Sequence, residues 1–237
     1  MSSEWIDLAH RLAKGARAQA LRDQRRYNAI MDLPLHVYHV ANRGSYESIL
    51  HCGLLSSRAL CTLVGASDSR ALLMTQRTKC IRLNESILLR DQKPMPPSRL
   101  STCLVNISPA DWYELLNGFV FFWFDLRKAE QIRSKYKDSM ILKFDFRKLL
   151  FDHEDRAYLT PINTGSASYD SALRSPATFV PWIEWTETRW ASEEMARGRT
   201  RKRSPKPVEF AIEGQVNNVS RYLVHDALIC TEEFASH

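Results

Sequence analysis

The stretch LHVYHVANRGSYESILHCGLL, residues 35–55, decides the fold of this chain. Leu35 to Val40 predicts a strand, and Pro34 just before it ends the preceding helix because proline cannot continue one. Tyr46 to Leu50 predicts the start of a short helix. Gly53 ends that helix, since glycine adopts the conformation needed after a helix terminus without strain. The segment is therefore a strand followed closely by a short helix.

Further along the chain, three segments predict more strands. Phe119 to Phe124 is a continuous apolar run after the Asn117-Gly118 turn, which is typical of a strand buried on both faces. Met140 to Phe146 and Val208 to Ile212 follow, and Val219 to His225 predicts the start of a last strand. Helices are predicted over residues 57–64, 109–116 and 128–136, and the proline-rich residues 91–99 predict a loop. Because helices and strands do not alternate regularly, the fold class is α+β.

The N-terminal region, residues 1–33, predicts an amphipathic helix over residues 5–30, with residues 34–237 forming the main domain. Its basic side chains fall within about 60° of one direction on a helical wheel: Arg11, Lys14, Arg22, Arg25 and Arg26. Such a stripe is typical of a solvated surface helix. A contact with nucleic acid is the alternative.

The composition is that of a globular protein, with 44% hydrophobic and 25% charged residues among 237. Lys and Arg number 33 against 27 Asp and Glu, a net charge of +6. The excess lies within a predicted basic loop, residues 191–207, whose cations are Arg197, Arg199, Arg201, Lys202, Arg203 and Lys206. The segment is either a solvated loop or a contact for phosphates.

Several classes of protein are disfavoured. The five cysteines have no metal-ligand spacing, so neither a metal site nor a disulfide-linked partner is expected. No glycine-rich phosphate loop, zinc-protease motif or serine nucleophile elbow occurs. Because no apolar run has the length of a membrane helix and the N-terminus lacks a secretory apolar core, we expect a cytoplasmic protein without a membrane partner.

Three blocks of the sequence together resemble ADP-ribosyltransferase-fold proteins. In that family a histidine ends the first core strand and a helix with a Ser-Ile-Leu-x-x-Gly-Leu pattern follows, as His39 and residues 48–54 do here. Residues 117–124 resemble the family's central aromatic strand, and residues 207–212 its late strand with the catalytic glutamate. The blocks look closest to the bacterial DarT-type enzymes that modify DNA bases and to a less characterised bacterial family with the same core. The resemblance implies a split β-sheet core with flanking helices, and NAD as a substrate.

The resemblance assigns the catalytic roles to Glu209 and His39. Opening the nicotinamide–ribose bond of NAD creates positive charge on the ribose, which a nearby carboxylate can stabilise. The same carboxylate can accept a proton from the attacking group. The imidazole can hydrogen-bond a ribose hydroxyl or the amide region of the dinucleotide. The alternative for Glu209 is an ordinary strand residue that faces solvent. The alternative for His39 is a strand histidine whose hydrogen bonds are made within the protein.

Five further residues are candidates for binding the dinucleotide: Tyr38, Arg43, Trp123, Asn163 and Thr164. Tyr38 can replace the histidine in its role, Arg43 can pair with pyrophosphate, and Trp123 can stack on nicotinamide. Asn163 and Thr164 lie in a polar loop whose backbone N–H groups suit phosphate or ribose. The alternatives are that Trp123 packs in the core, that Arg43 is an ordinary surface arginine, and that Asn163 and Thr164 form a simple turn.

The basic loop immediately before Glu209 favours a nucleic acid as the acceptor, DNA more than RNA, because clustered cations attract polyanions. The leading hypothesis is an NAD-dependent ADP-ribosyltransferase acting on nucleic acid. One alternative is a DNA glycosylase on the same fold, which would need no NAD. The other is a non-catalytic nucleic-acid-binding module.

Overall fold

The structure is a computed structural model that describes residues 3–66, 69–85, 87–92, 95–167, 172–200 and 206–224, with side chains from Lys14 onward. The helices are α1 (Ser3–Met31), α2 (Tyr46–Cys52), α3 (Ser57–Leu63), α4 (Ser69–Met74), α5 (Pro97–Cys103), α6 (Pro109–Leu116), α7 (Leu126–Arg133), α8 (Phe146–His153), α9 (Trp182–Thr188) and α10 (Ala191–Arg197). The strands are β1 (His36–Asn42), β2 (Leu54–Leu55), β3 (Ile81–Arg82), β4 (Leu88–Leu89), β5 (Phe119–Trp123), β6 (Ser139–Asp145), β7 (Ala157–Thr160), β8 (Val180–Pro181), β9 (Glu209–Glu213) and β10 (Gln215–Val216).

Six strands form one antiparallel sheet in the order β6-β1-β5-β9-β7-β8. Two small ribbons, β10-β2 and β3-β4, lie beside it. The predicted mixture of helices and strands is confirmed, and so are strands at the first, central and late blocks of the sequence. The more specific core of an ADP-ribosyltransferase stays a prediction.

β1 pairs with its two neighbouring strands over very different lengths. All seven of its residues are in register with β6, from His36 opposite Asp145 to Asn42 opposite Ser139. On the other side only Tyr38 is registered, opposite Trp123 of β5. β1 and β5 are therefore paired at Tyr38 and Trp123, and their backbone pairing does not continue beyond these two residues.

Apolar side chains cover both faces of the sheet. One face packs against the largest core, which contains Phe122 and Phe210 of the sheet and the tryptophans Trp182, Trp185 and Trp190. The three tryptophans are almost fully buried and act as packing residues of this core. The opposite face carries one cluster around Trp112 and Phe119 and a smaller one around Val40, Trp123 and Ile141.

Local signals explain several element boundaries. Ser108 caps α6 by accepting a hydrogen bond from the Asp111 backbone N–H at 3.2 Å, with proline in the first turn. Gly53 ends α2 with a φ of +88°, and a Cβ on it would lie 2.3 Å from the carbonyl oxygen of Val216. Only glycine fits this close approach of two backbones.

Two predicted elements differ in the structure. The residues from Val219 form a short 3₁₀ turn to Arg221, and only Leu223 bridges a strand residue, Phe144. The predicted strand from Val219 to His225 is therefore wrong over its described part, and His225 lies outside the described residues. The predicted loop of residues 91–99 ends early, because Pro97 starts α5, where a missing N–H costs nothing.

Within the described residues, no helix combines the length and the apolar composition that crossing a membrane requires. The cysteines at positions 52, 61, 80 and 103 are free thiols, and Cys230 lies outside the described residues.

Candidate functional site

Glu209 is the first residue of β9 and lies in a row of four side chains across the sheet. The register places Tyr38 opposite Trp123, Trp123 opposite Glu209, and Glu209 opposite Thr160. Directly opposed residues of antiparallel strands project from the same face. The carboxyl, the indole and the phenol ring therefore share one face at the level where β1 and β5 meet.

The Glu209 carboxyl is buried, with a relative exposure of 2%, and is held by a polar clasp. Its Oε2 accepts hydrogen bonds from the Thr164 backbone N–H at 3.1 Å and from the Thr164 hydroxyl at 2.8 Å. The Thr160 hydroxyl lies 3.1 Å from the same oxygen. Because these contacts come from a strand and from the loop after it, they fix the carboxyl in one orientation.

Burial raises the pKa of Glu209 to about 7, against the opposing effect of the Thr164 and Thr160 hydrogen bonds and of the Arg174 charge. The Thr160 hydroxyl also lies 2.8 Å from the Ile162 carbonyl oxygen, which can only accept a hydrogen bond. When Thr160 donates to that carbonyl, its oxygen can accept a hydrogen bond from the protonated carboxyl. The clasp thus accommodates both the carboxylate and the carboxylic acid.

Arg174 is a feature that sequence reasoning missed. It is 2% exposed, its Nη1 donates to the Ser166 carbonyl at 3.0 Å, and its charge acts on Glu209. Its buried Nε has no hydrogen-bond partner. Nothing in the local sequence distinguishes this arginine from a surface one, since its burial depends on tertiary contacts such as the one with Ser166.

His39 directly follows Tyr38 on β1 and bridges the two central strands. Its Nδ1 lies 2.8 Å from the Phe121 carbonyl oxygen, so this nitrogen carries the proton and donates it. Burial lowers the pKa of His39 to about 4; the backbone hydrogen bond opposes this and the Arg90 charge adds to it. The imidazole is therefore neutral at pH 7, and its Nε2 is an acceptor.

His39 and Glu209 do not project from the same face of the sheet. Side chains alternate along a strand, and the His39 ring packs against Phe122, 5.7 Å between centroids, on the side opposite Trp123. β5 separates their strands, which puts their backbones two strand spacings, roughly 10 Å, apart. The structure thus places His39 and Glu209 in the same part of the sheet but on opposite faces, so their side chains do not meet.

The other predicted dinucleotide-binding residues lie in three places. Trp123 is 8% exposed in the cluster with Val40, while Tyr38 is half-buried beside it. Arg43 is exposed in the 3₁₀ turn after β1. Thr164 is fully buried in the clasp and Asn163 is exposed next to it.

Arg90 lies where β1 leaves β5. Its Nη1 donates to the Val40 carbonyl at 3.3 Å, and its guanidinium stacks on the Tyr136 ring, 4.4 Å from the centroid. Tyr136 in turn donates to Asp91 at 2.9 Å. A cation therefore stands beside His39 at the point where the two strands part.

The basic loop is only partly described. Arg199 and Lys206 are exposed, whereas Arg197 forms an ion pair of 2.7 Å with the fully buried Glu193 on α10. Arg201, Lys202 and Arg203 lie outside the described residues. Arg197, one of the six predicted phosphate contacts, is therefore already paired with a carboxylate.

Two surface cavities occur away from this row of side chains. One of about 360 Å³ is lined by residues such as Arg58, Gly118 and Gln215. The other, about 440 Å³, lies between α8 and the last 3₁₀ turn, near Phe151 and Arg221. The described residues form no group of three or more His, Cys, Asp or Glu suited to a metal ion.

These features define an α+β domain with a six-stranded antiparallel sheet and a buried, clasped carboxyl at its centre. The chain belongs to DUF7002, a family of unknown function whose model matches residues 35–223. No curated protein matches the chain. Among solved structures, Thermosipho africanus DarTG in complex with ADP-ribose matches with a TM-score of 0.36 and 15% identity, over 79% of this chain and 42% of that one. The chain thus spans less than half of that protein's length, and a likeness this small carries no argument.

Proposed function

We propose that this protein transfers ADP-ribose from NAD to a nucleic acid, DNA more than RNA, with Glu209 as the catalytic carboxylate. The observation that carries the proposal is the row formed by Tyr38, Trp123 and Glu209, whose carboxyl the Thr160 and Thr164 clasp holds in one orientation. A fixed carboxylate beside flat aromatic rings suits a ribose joined to nicotinamide. The residue pattern shared with ADP-ribosyltransferases supports the same chemistry.

In the proposed reaction the bond between nicotinamide and ribose breaks, and its electron pair leaves with the nicotinamide. The ribose C1′ becomes an oxocarbenium-like centre, which the Glu209 carboxylate stabilises. A ring or exocyclic nitrogen or oxygen of a base attacks C1′ and loses a proton, which Glu209 accepts. A pKa near 7 matches this role, because the group can be a carboxylate before the step and an acid after it.

Access to Glu209 requires a local opening, since the side chain is 2% exposed. The loop that carries Thr164 closes over the carboxyl, so its displacement would admit the ribose. In the opened state Trp123 would stack on nicotinamide, and Asn163 would reach ribose hydroxyls. Tyr38 would line the same side of the pocket.

His39 and Arg43 are proposed to act on other parts of the dinucleotide. The neutral His39 imidazole offers Nε2 as an acceptor for a ribose hydroxyl or the carboxamide N–H groups. Arg43 is exposed at the end of β1, where it would pair with the pyrophosphate. His39 would therefore bind and position NAD, without sharing the proton chemistry of Glu209.

Arg199 and Lys206, exposed on the approach to β9, are proposed to contact the phosphates of the acceptor, together with Arg201, Lys202 and Arg203. Arg197 would contribute only after leaving Glu193.

The test uses NAD labelled in its adenylate phosphate, incubated with single- and double-stranded oligonucleotides. We expect label on nucleic acid with the wild type, and a loss of at least about 100-fold with Glu209→Gln. Glu213→Gln is the matched control, because Glu213 lies on the same strand but is exposed. Circular dichroism verifies that both variants fold. Equal transfer by wild type and Glu209→Gln contradicts the proposal, and label found only on protein contradicts the acceptor.

A non-catalytic nucleic-acid-binding module is the second candidate. It is favoured by one observation: the Glu209 Oε2 accepts three hydrogen bonds from Thr160 and Thr164 and so ties β9 to β7 and the loop after it. In that case salt-dependent DNA binding would persist in Glu209→Gln and no label would transfer. Abasic sites formed in DNA without NAD would instead identify the glycosylase reaction.

A further inference from the structure

Helix α1 lies outside residues 35–223, the part of the chain that defines the family. Its 29 residues give it a length of about 44 Å. Among its described side chains, those from Lys14 onward, the anchoring ones lie at the C-terminal end: Ala29 is fully buried and Ile30 packs on the main core, where Leu33 follows. The segment from Lys14 to Asn28 therefore adds no fully buried side chain to the core.

The described side chains of α1 before this anchor are mostly exposed, and the segment is basic. Between Lys14 and Asn28 nearly every side chain is exposed, with Ala18 and Arg26 half-buried. This segment contains five cations and a single acid, Asp23; the cations are Lys14, Arg17, Arg22, Arg25 and Arg26. The segment thus has a net charge of +4 on about four turns of helix.

Few of these cations are neutralised by acids among the described residues. Arg26 approaches Glu154 only to 4.0 Å, and Asp23 accepts a hydrogen bond from Gln19 instead of pairing with a cation. Within the described residues, Lys14, Arg17 and Arg25 have no ion pair. Like charges three and four positions apart repel on a helix surface, so a polyanion would relieve a repulsion that the fold leaves in place.

We propose that α1 binds the phosphate backbone of double-stranded DNA. This inference rests on the proposed function for the kind of acceptor and adds a second contact, distant from the basic loop in the sequence. A straight helix suits a straight duplex, whose phosphates present one charge per about 1.7 Å of axis. The major groove is also wide enough to admit an α-helix.

Like charge disfavours one other occupant of this helix, and the positions of its apolar side chains disfavour another. A second copy of α1 would bring two like-charged segments together. A lipid surface needs a continuous apolar face, and within residues 14–31 the large exposed apolar side chains are Leu21, Tyr27 and Met31. Tyr27 and Met31 lie on one side of the helix, and Leu21 is turned about 80° or more from them.

The experiment measures binding of the full chain to a fluorescent 20-base-pair duplex by anisotropy, without NAD, from 50 to 300 mM salt. The test variant is Lys14→Ala, Arg17→Ala and Arg25→Ala, because alanine keeps helix propensity. The matched control removes three exposed cations elsewhere, Lys128→Ala, Lys135→Ala and Lys137→Ala. We expect the slope of log K against log salt to fall in magnitude by about 2 to 3 for the test variant. Its affinity at 50 mM salt should fall by at least 10-fold, and that of the control by less than 3-fold.

The same titration in Glu209→Gln separates this proposal from the proposed function, because binding through α1 does not need the carboxyl. Loss of transfer with intact α1-dependent binding supports the helix proposal alone. An unchanged slope in the triple variant overturns it, as does an equal loss in the control. Tighter binding to anionic vesicles than to DNA, or a concentration-dependent dimer lost in the variant, also overturns it. A second set, with glutamine in place of alanine, repeats the test if the alanine variant loses helix by circular dichroism.

Discussion

Arg174 and Glu209 are opposite charges buried on the same side of the sheet, each 2% exposed. Burial of a charged side chain is costly unless an opposite charge or hydrogen bonds compensate it. Glu209 receives both, from the threonine clasp and from the arginine, while Arg174 has a carbonyl partner and an unsatisfied Nε. The protonation of Glu209 therefore depends on a residue 35 positions away in the chain.

Replacing Arg174 by Gln should raise the pKa of Glu209 further above its usual range, because a positive charge that stabilises the carboxylate is lost. Arg174→Lys should restore most of the wild-type value, since it keeps the charge. The measurement is a ¹³C NMR titration of the carboxyl carbon in glutamate-labelled protein, with Glu209→Gln to assign the signal. A titration curve of Arg174→Gln that overlays the wild type would show that the arginine has no electrostatic role.

At the scale of elements, the single registered pair between β1 and β5 shapes the site. Tyr38 and Trp123 hold the strands together, and beyond that level His39 and Arg90 satisfy carbonyls of Phe121 and Val40. Side chains thus replace a backbone ladder, and side-chain hydrogen bonds can be exchanged for ligand contacts without unfolding a strand. The open part of this strand pair is therefore the place in the sheet most suited to a bound molecule.

The junction of α2 with the β10-β2 ribbon depends on Gly53. A methyl group there would meet the Val216 carbonyl at 2.3 Å, and the positive φ adds strain. We expect Gly53→Ala to destabilise the protein by more than about 2 kcal/mol. Gly65→Ala is the control, because Gly65 has a similar φ of +62° but nothing within 4 Å, so only the strain of about 1 kcal/mol applies. Urea unfolding gives both values, and equal losses would mean that the close approach is absent.

At the scale of the whole molecule, the raised pKa of Glu209 links global stability to pH. The folded protein holds the proton up to about pH 7, whereas the unfolded chain releases it near 4.5. Between these values the folded state binds more protons, so this group's contribution to stability falls as pH rises and is constant above pH 7. Glu209→Gln should remove that fall, which amounts to as much as about 3 kcal/mol between pH 5 and 8. Denaturant unfolding of wild type and variant at both pH values measures it, with Glu213→Gln expected to follow the wild type.

Charge is also distributed unevenly over the whole chain. The net charge is +6, but the segment 197–206 and the exposed part of α1 together carry more than that, so the remainder of the protein is net negative. Two separate basic segments on a negative body favour contacts with a polyanion at those two places.

The sequence by itself determined the elements whose signals are local. The helix ended by Gly53, the cap at Ser108 and the buried strand from Phe119 follow from capping, backbone freedom and unbroken apolar runs, which act between near neighbours. The 3₁₀ turn at Val219 could not be predicted from the sequence, because its residues suit a strand. Only the space beside β6 makes them form a turn instead. Glu209 could be singled out by its pattern, although not its burial or its pKa.

Only the tertiary structure decided which polar groups meet. It set Glu209 in a clasp with Thr160 and Thr164, placed Arg174 near it, and turned His39 to the other face of the sheet. These outcomes depend on strand order and register, where a shift of one residue reverses the face of every side chain. Register is set by the packing of the whole core, so no local stretch of the sequence contains it.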